Sequence, residues 1–436
     1  MRFNSLEAWL AWLEQLHPKE IELGLARIGI VAERLELVSG KNKARQQPAP
    51  RIVTIAGTNG KGSCVATLEA LLIETGYRVG SYTSPHLFHY CERIRIQGCN
   101  AAPETVCAAF EKIERVRDGV SLTYFEFGTL AAMELFLHGR QSVDIVLLEV
   151  GLGGRLDATN LWDADVAVVT SIDLDHEIWL GSDRDSIARE KAGIFRRSRP
   201  AICADPTPPA AIAAAAADCN APLLQLGREF GSQVSDTGAT WSWWGRASRG
   251  EEVSFAGLPL PNLPLPSVAA ALQVCNCLEI KLQRQIVQRV MEGLELPGRL
   301  QKINYKGLEF ILDVAHNPAA ATYLATKLAA PTGAQKTFAL VAMMADKDRR
   351  NTLCQLRPLV DYWFVSGLPG SIRAASAEDL ETDLNHLGGA AVKCDTVAAA
   401  LEQITREAAP GDRVLVLGSF LTVAAALEVC KPKTAE

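Results

Sequence analysis

The sequence predicts an α/β fold in two units: a larger, doubly wound domain with a mostly parallel sheet built around a phosphate-binding (P-loop-type) loop, then a smaller Rossmann-like α/β domain. Three observations carry this prediction. Apolar β-type runs alternate with helical patterns in both parts of the chain. The run Ile52-Val53-Thr54-Ile55 leads into Gly57-Thr58-Asn59-Gly60-Lys61-Gly62-Ser63 and then a helix-like segment, Cys64 to Thr75, the strand, loop and helix order that phosphate binding needs. Finally, Leu296-Pro297-Gly298-Arg299 interrupts the alternation before it resumes, which places a hinge between residues 1–296 and 297–436.

In chain order, Met1 to Leu16 carries Leu6, Trp9, Leu10, Leu13 and Leu16 at helical spacing with Glu7 and Glu14 between them, an amphipathic helix rather than a basic-then-apolar leader. Ser39 to Pro50 is a polar, proline-ended connector. Strands are expected at 51–56, 78–83, 144–150 and 166–172, and helices at 63–75, 103–117 and 126–138. Residues 201–256 read as an alanine-rich helix followed by short antiparallel strands that include Trp241-Ser242-Trp243-Trp244, whose aromatics suit packing. The proline-studded stretch 258–266 excludes a regular helix, and a helix is expected at 267–280. In the second unit, strands at 309–315, 338–344, 361–366 and 413–418 are separated by helices at 318–329, 347–357, 376–386 and 396–408.

A chain of 436 residues exceeds one ordinary core. Its 48% hydrophobic and 22% charged residues fit packed globular domains, and a net charge of −6 argues against a general nucleic-acid or anionic-membrane surface. No apolar run exceeds eight residues, the length of the mostly alanine run at 210–217, against the roughly 20 that a membrane span needs. A soluble, cytoplasmic enzyme of small-molecule substrates, acting as a monomer, is the expectation. Eleven cysteines without a C-x-x-C read as reduced thiols rather than a zinc site or disulfide framework.

Glycines let backbone N–H groups turn toward an anion, Lys61 supplies a mobile positive charge, and Ser63 can reach phosphates or their Mg²⁺. The loop departs from the common pattern: two residues rather than four separate Gly57 from Gly60, and Gly62 sits between Lys61 and Ser63. The alternative is a glycine-rich turn that merely leads into a helix. Glu149 closes a buried-type strand, Asp144 to Val150, at the sheet edge where the Lys61 loop points, and a carboxylate there suits Mg²⁺. A purely structural Glu149 would need an Arg or Lys partner. The next strand ends in Thr170-Ser171-Ile172-Asp173-Leu174-Asp175-His176, which offers His176 as a second ligand, and Ser81-Tyr82-Thr83-Ser84 offers the Ser84 hydroxyl.

GTNGKGS, SYTSPHL, LTYFEFGT, LEVGLGGRLDATN, SIDLDH, REKAGIF, LPGRLQ and DVAHNP, in this order from about Leu6 to about Val429, resemble the bifunctional dihydrofolate synthase/folylpolyglutamate synthase family of bacteria, within the Mur-ligase type of ATP-dependent ligases. The resemblance implies ATP-driven ligation of L-glutamate to dihydropteroate and to the glutamate tail of reduced folates, through an acyl phosphate. Residues 1–296 would be the ATP- and pterin-binding domain, and 297–436 the glutamate-ligase domain. Loop 57–63 matches the family's ATP site, while Ser84, Glu149 and His176 match its Mg²⁺ ligands. Lys191 matches a lysine that the family carries as a carbamate, able to bind a second Mg²⁺; otherwise it is a solvent-exposed helix lysine paired with Glu190. Arg299 and Asp313 match residues that close over ATP, which implies an interdomain cleft gated by closure. His316 is implied as a catalytic residue beside Lys61 and Lys191, and Ser419 as a glutamate contact, although His316 could equally cap the helix near Pro318.

For the pterin substrate, Glu22-Leu23-Gly24-Leu25, Leu122-Thr123-Tyr124-Phe125 and Leu156-Asp157-Ala158 match the family's contact stretches, with Tyr124 and Phe125 otherwise readable as core aromatics. Two departures stand out. Ser267 occupies a nucleotide-contacting position where relatives usually have Asn, and Asp173 adds a carboxylate beside the metal site. Two other readings remain at this stage: a Mur-type ligase for a cell-wall amino acid, and a nucleotide-binding regulatory module without catalysis.

Overall fold

The protein is described by a computed structural model covering residues 2–38, 49–139, 143–246, 250–329 and 335–431, so that all but the last two residues of the connector at 39–50 lie outside the described residues. The chain divides into two compact units, Met1–Leu294 and Glu295–Glu436.

The first unit opens with helices α1 (Leu6–Leu16), whose Ser5 cap accepts from Ala8 N at 3.2 Å, and α2 (Ala26–Arg34). There follow β1 (Arg51–Ala56), α3 (Lys61–Glu74), β2 (Val79–Tyr82), β3 (Ile94–Ile96), β4 (Cys99–Asn100), α4 (Pro103–Arg117), α5 (Tyr124–His138) and β5 (Ile145–Glu149). Next come β6 (Val166–Val169), α6 (Glu177–Leu180), α7 (Arg184–Ala192), β7 (Ala201–Cys203), α8 (Ala210–Asp218) and β8 (Leu223–Gln225). The sheet runs β4-β3-β2-β5-β1-β6-β7-β8. All pairings from β2 to β8 are parallel, and β3 and β4 fold back antiparallel at one edge. Connections from β1 to β2 and from β5 to β6 each skip a strand, so the chain winds outward on both sides of β1 and β5. The carboxyl ends of these central strands form the edge where ligands bind in such sheets.

Helices cover both faces because the central strands β5 and β6 are buried along their whole length, on both sides. On one face Trp9, Phe110, Phe127 and Phe136, all fully buried, pack α1, α4 and α5 together. On the other, Ile187, Ile194 and Ile212 seal α7 and α8 against β6 and β7. Each such side chain contributes about 1.5–3 kcal/mol of burial. The unit continues with an antiparallel sheet of β9 (Phe230–Val234), β10 (Thr240–Arg246) and β11 (Glu252–Pro259), then α9 (Leu265–Cys277) and α10 (Arg284–Gly293). Trp241 and Trp243 are buried here, as packing aromatics.

In the second unit, β12 (Gln301–Tyr305), β13 (Leu308–Asp313), α11 (Pro318–Leu328), β14 (Thr337–Val341), α12 (Arg349–Leu356) and β15 (Tyr362–Ser366) precede α13 (Ala377–His386), β16 (Ala391–Cys394), α14 (Val397–Glu407), β17 (Arg413–Leu417) and α15 (Phe420–Cys430). Its sheet order is β12-β13-β17-β14-β15-β16, parallel except for β12.

Several expected boundaries move for local reasons. The helix expected from 267 begins at Leu265, inside the proline-rich stretch, because Pro266 falls in the first turn, where its missing N–H costs nothing. The helix expected from 126 begins at Tyr124, because Thr123 and Glu126 close a capping box. The strand expected to reach 172 stops at Val169, freeing Thr170 onward as loop. β7 and β8, three residues each, and the antiparallel β12 were hidden in short or alternating stretches.

Candidate active site

At the end of β1, Gly60 lies at φ +84°, supplying the left-handed cap of α3 that a Cβ would strain, and Gly57 sits so close to β6 that a Cβ would collide with Thr170 Oγ1. The loop is laced to the neighbouring strand end. Thr58 N donates to Ser171 O at 2.8 Å, Asn59 N to Ser171 Oγ at 2.9 Å, and Thr170 Oγ1 to Asn59 O at 2.7 Å. Lys61 Nζ turns back to donate to Gly57 O at 2.9 Å and Thr58 O at 3.3 Å, so the ammonium stays at the mouth of the loop. Ser63 Oγ is buried without a hydrogen-bond partner among the described residues, and an orphaned hydroxyl in the first turn of such a helix suits a phosphate or its metal ion. Ser267, buried in the first turn of α9, places its hydroxyl against Gly60 and so borders the loop.

Glu149, the last residue of β5 and paired in register with Ile55, is 5% exposed. Its Oε2 accepts Ser84 N at 3.2 Å and lies 3.9 Å from where a Cβ on Gly62 would be. Loop, carboxylate and Ser84 therefore share one edge. His176 stands at φ +54° at the start of α6, with Nε2 4.0 Å from Asp175 Oδ2. Among the described residues no group of three His, Cys, Asp or Glu side chains is assembled to hold a metal. The hard oxygen donors at this edge, Glu149 and the Ser63 and Ser84 hydroxyls, nonetheless fit Mg²⁺, which takes few protein ligands.

Lys191, on α7, is 4% exposed. Burial, reinforced by the positive charge of Lys61 and opposed by Asp175, draws its pKa down to about 7. The exposed-lysine alternative does not describe it: Glu190 pairs with Arg155 at 2.9 Å. Arg184 and Asp205, which sequence reasoning missed, brace the adjoining loop. Asp205 Oδ2 accepts Ile172 N at 2.6 Å and Arg184 Nη2 at 3.1 Å, while Arg184 Nε donates to Ile172 O at 2.8 Å. No spacing in the sequence signals them, since β6 and β7 pairing brings them together.

The expected pterin stretches also meet. Gly24 N donates to Leu156 O at 3.0 Å, and Leu23 and Leu25 are half-buried beside it. Leu122 is fully buried, Thr123 caps α5, and Tyr124 lies edge-on to Tyr90 at 5.7 Å with the Arg93 guanidinium 5.5 Å over its ring. Phe125 is 5.7 Å from Tyr82 and covers Gly151, where a Cβ would come within 2.7 Å of the ring. Both aromatics are only partly buried, unlike the core rings beneath them. Ala158 is buried, and Asp157 serves the chain: Oδ2 accepts Leu152 N at 2.9 Å, and Oδ1 accepts Thr159 N at 3.0 Å and Thr159 Oγ1 at 2.6 Å. Burial pushes its pKa up against these bonds. Asp157→Asn should therefore lower stability by about 1–3 kcal/mol, read as a lower urea midpoint with an unchanged m-value.

In the second unit, Asp313 ends β13 in register with Leu417. Its Oδ2 accepts Leu300 N and its Oδ1 accepts Ala315 N, each at 2.8 Å; burial raises its pKa, opposed first by Arg299. Arg299 lies 5.0 Å from the Phe420 ring. His316 Nδ1 is 2.9 Å from Val314 O, and the cap of α11 is Asn317, whose Oδ1 accepts Ala320 N at 3.0 Å, so His316 is not the cap. Ser419 caps α15 by accepting Thr422 N at 3.0 Å, which engages its hydroxyl with the helix.

Residues 298–420 match the family described as Mur ligase, glutamate ligase domain. The dihydrofolate synthase/folylpolyglutamate synthase of Escherichia coli is 44% identical over 426 residues, 98% of this chain and 96% of that one. A solved structure of the E. coli enzyme in complex with DHPP and ADP superposes with a TM-score of 0.89 at 44% identity, covering 98% of this chain and 97% of the other. Another, a bifunctional folylpolyglutamate synthase/dihydrofolate synthase with Mn, AMPPNP and L-glutamate bound, gives 0.87 at 44% identity, with 98% of each chain covered. Identity of this order along nearly the whole chain makes the protein a member of the dihydrofolate synthase/folylpolyglutamate synthase family of ATP-dependent ligases.

Proposed function

We propose that the protein joins L-glutamate to dihydropteroate, giving dihydrofolate, and extends the glutamate tail of reduced folates, each at the expense of ATP. The observation that carries this reading is the Lys61 loop, with its orphaned Ser63 hydroxyl, at the same sheet edge as the Glu149–Ser84 pair. In the first step a substrate carboxylate oxygen attacks the γ-phosphorus, ADP leaves, and an acyl phosphate forms. The glutamate amine then attacks the acyl carbon, the C–O bond to phosphate breaks, phosphate leaves with that electron pair, and the amine proton is lost to solvent.

Lys61 would hold the γ-phosphate as its charge shifts, and the N–H groups of loop 57–63 would orient it. ATP, with Arg299, Asp313 and Ser267 as further nucleotide contacts, is the bound nucleotide of this reading. The metal is proposed to be Mg²⁺ at two positions, one near Ser84, Glu149 and His176 and one at Lys191; when bound it neutralises phosphate charge. An amine with a pKa near 7 is substantially neutral at cellular pH; its lone pair can attack the CO₂ carbon, one C–O π bond opening and the N–H proton passing to solvent, to give a carbamate whose oxygens suit a cation. His316 and Ser419 are proposed at the glutamate end, with residues 22–25, 122–125 and 156–158 around the pterin. The reading carries a cytoplasmic monomer, and no helix among the described residues is long and apolar enough to cross a membrane.

The test is phosphate release with ATP and glutamate, using dihydropteroate or tetrahydrofolate as acceptor. Turnover with both is expected, and none with either overturns the reading. Activity should also depend on added bicarbonate, and that dependence should steepen as pH falls through about 7, where Lys191 becomes an ammonium unable to attack CO₂.

A further inference from the structure

Two of the stretches assigned to the pterin, far apart in sequence, are tied together by one side chain, Arg27, near the start of α2. Its Nη1 donates to Glu22 Oε1 at 2.5 Å, and its Nη2 donates to Glu22 O at 2.9 Å and to Glu126 Oε1 at 3.2 Å. The other oxygen of Glu126 accepts Thr123 N at 2.8 Å, so the guanidinium grips the cap of α5 from which Tyr124 and Phe125 project. Glu126 is 3% exposed, and a carboxylate so buried is held in place by its cation and cap rather than by water.

Glu22 is fixed from the other side as well. His17 Nε2 lies 3.0 Å from its Oε2 and Nδ1 lies 2.7 Å from Ser121 Oγ, one residue before Leu122. The His17 hydrogen bond, followed by that of Lys19, draws the Glu22 pKa down to about 2. The third stretch joins through the Gly24–Leu156 bond described above. Arg27 Nε is buried with no hydrogen-bond partner among the described residues, so the guanidinium commits its two terminal nitrogens to the walls.

We infer that Arg27 is a positioning residue for the pterin-bearing substrate: it sets the separation of the 22–25 and 122–125 walls, and so governs heterocycle binding without taking part in the phosphate chemistry. This rests on the ligase reading above. Lysine cannot reproduce a forked guanidinium that reaches two carboxylates and a carbonyl.

The experiment is steady-state kinetics of full-length Arg27→Lys and Arg27→Ala, varying dihydropteroate, ATP and glutamate in turn, with equilibrium binding of dihydropteroate alongside. The KM and Kd for dihydropteroate should rise about 10-fold in the lysine variant, as expected for one lost charged hydrogen bond, and more in the alanine variant. The KM values for ATP and glutamate should stay within about 2-fold, and millimolar guanidinium should partly restore Arg27→Ala. Unchanged dihydropteroate constants in both variants, or an equal rise for all three substrates, overturns the inference while leaving the ligase reading intact. If Arg27→Ala does not fold, Arg27→Lys decides alone. Wild-type protein inactive on dihydropteroate overturns both.

Discussion

Lys191→Ala should lower kcat by roughly 10²–10³-fold, the cost of removing one group that stabilises charge in a transition state, while the protein melts at a higher temperature than wild type near pH 6. The two effects have opposite signs because the side chain is costly to the fold. Its pKa lies near 7 in the folded protein against an ordinary 10.5. Between those values the unfolded chain binds the extra proton, so wild-type stability rises with pH across that window. The stability cost is fully present below about pH 7 and fades toward 10.5, and the melting gap between variant and wild type should close over the same range. Calorimetry in CO₂-free buffer at pH 6 and pH 9, beside phosphate-release rates, checks both parts. Full activity in the variant would remove Lys191 from the site, and partial rescue by millimolar acetate would identify the missing group as a carboxylate equivalent.

The glycines of loop 57–63 should separate just as sharply. Gly57→Ala drives a Cβ into Thr170 Oγ1, with the Ser171 backbone N 3.1 Å away, and that hydroxyl is already committed to Asn59 O. Neither neighbour yields cheaply, so a loss of about 2–4 kcal/mol is expected from overpacking and backbone strain together, with nucleotide binding weakened at least 10-fold. Gly62 lies within α3, and beyond its own helical turn no atom of the described residues comes closer than 3.9 Å to a Cβ placed there. Gly62→Ala should therefore hold or gain stability, by up to about 1 kcal/mol. The atom it approaches is Glu149 Oε2, so the same methyl should weaken metal-nucleotide binding. Thermal melts with and without ATP and Mg²⁺ distinguish the pair: the Gly57 variant melts lower in both conditions, whereas the Gly62 variant loses only the ligand-induced shift.

What could be read in advance follows from how local each cause is. The phosphate loop is a contiguous signal, seven adjacent residues set between a strand and a helix, and β1, the loop and α3 follow in the order that the residues implied. Glu149 was legible for a similar reason, since a carboxylate ending an apolar run falls at the ligand edge of a parallel sheet. The capping box of Thr123 and Glu126 lies in the sequence too, and it starts α5 two residues before the position that apolar spacing alone suggests. Asp205, Arg184 and Arg27 could not be found that way. Each matters through partners between 5 and 99 residues away, and a single Arg or Asp carries no periodicity of its own. The burial of Lys191 was equally hidden, because Arg189-Glu190-Lys191 has the look of a solvated helix face.

The brace between Arg184 and Asp205 shifts where the protein is vulnerable. Thr170 to His176 looks like a self-contained block, yet its path is held by a carboxylate at the end of β7, in a stretch that has no chemistry of its own. Selection acting on the site must therefore reach past the residues that face substrates. Homologues that exchange Asp205 should also change at Arg184, and a designer who transplants the block alone would carry over its letters without its shape.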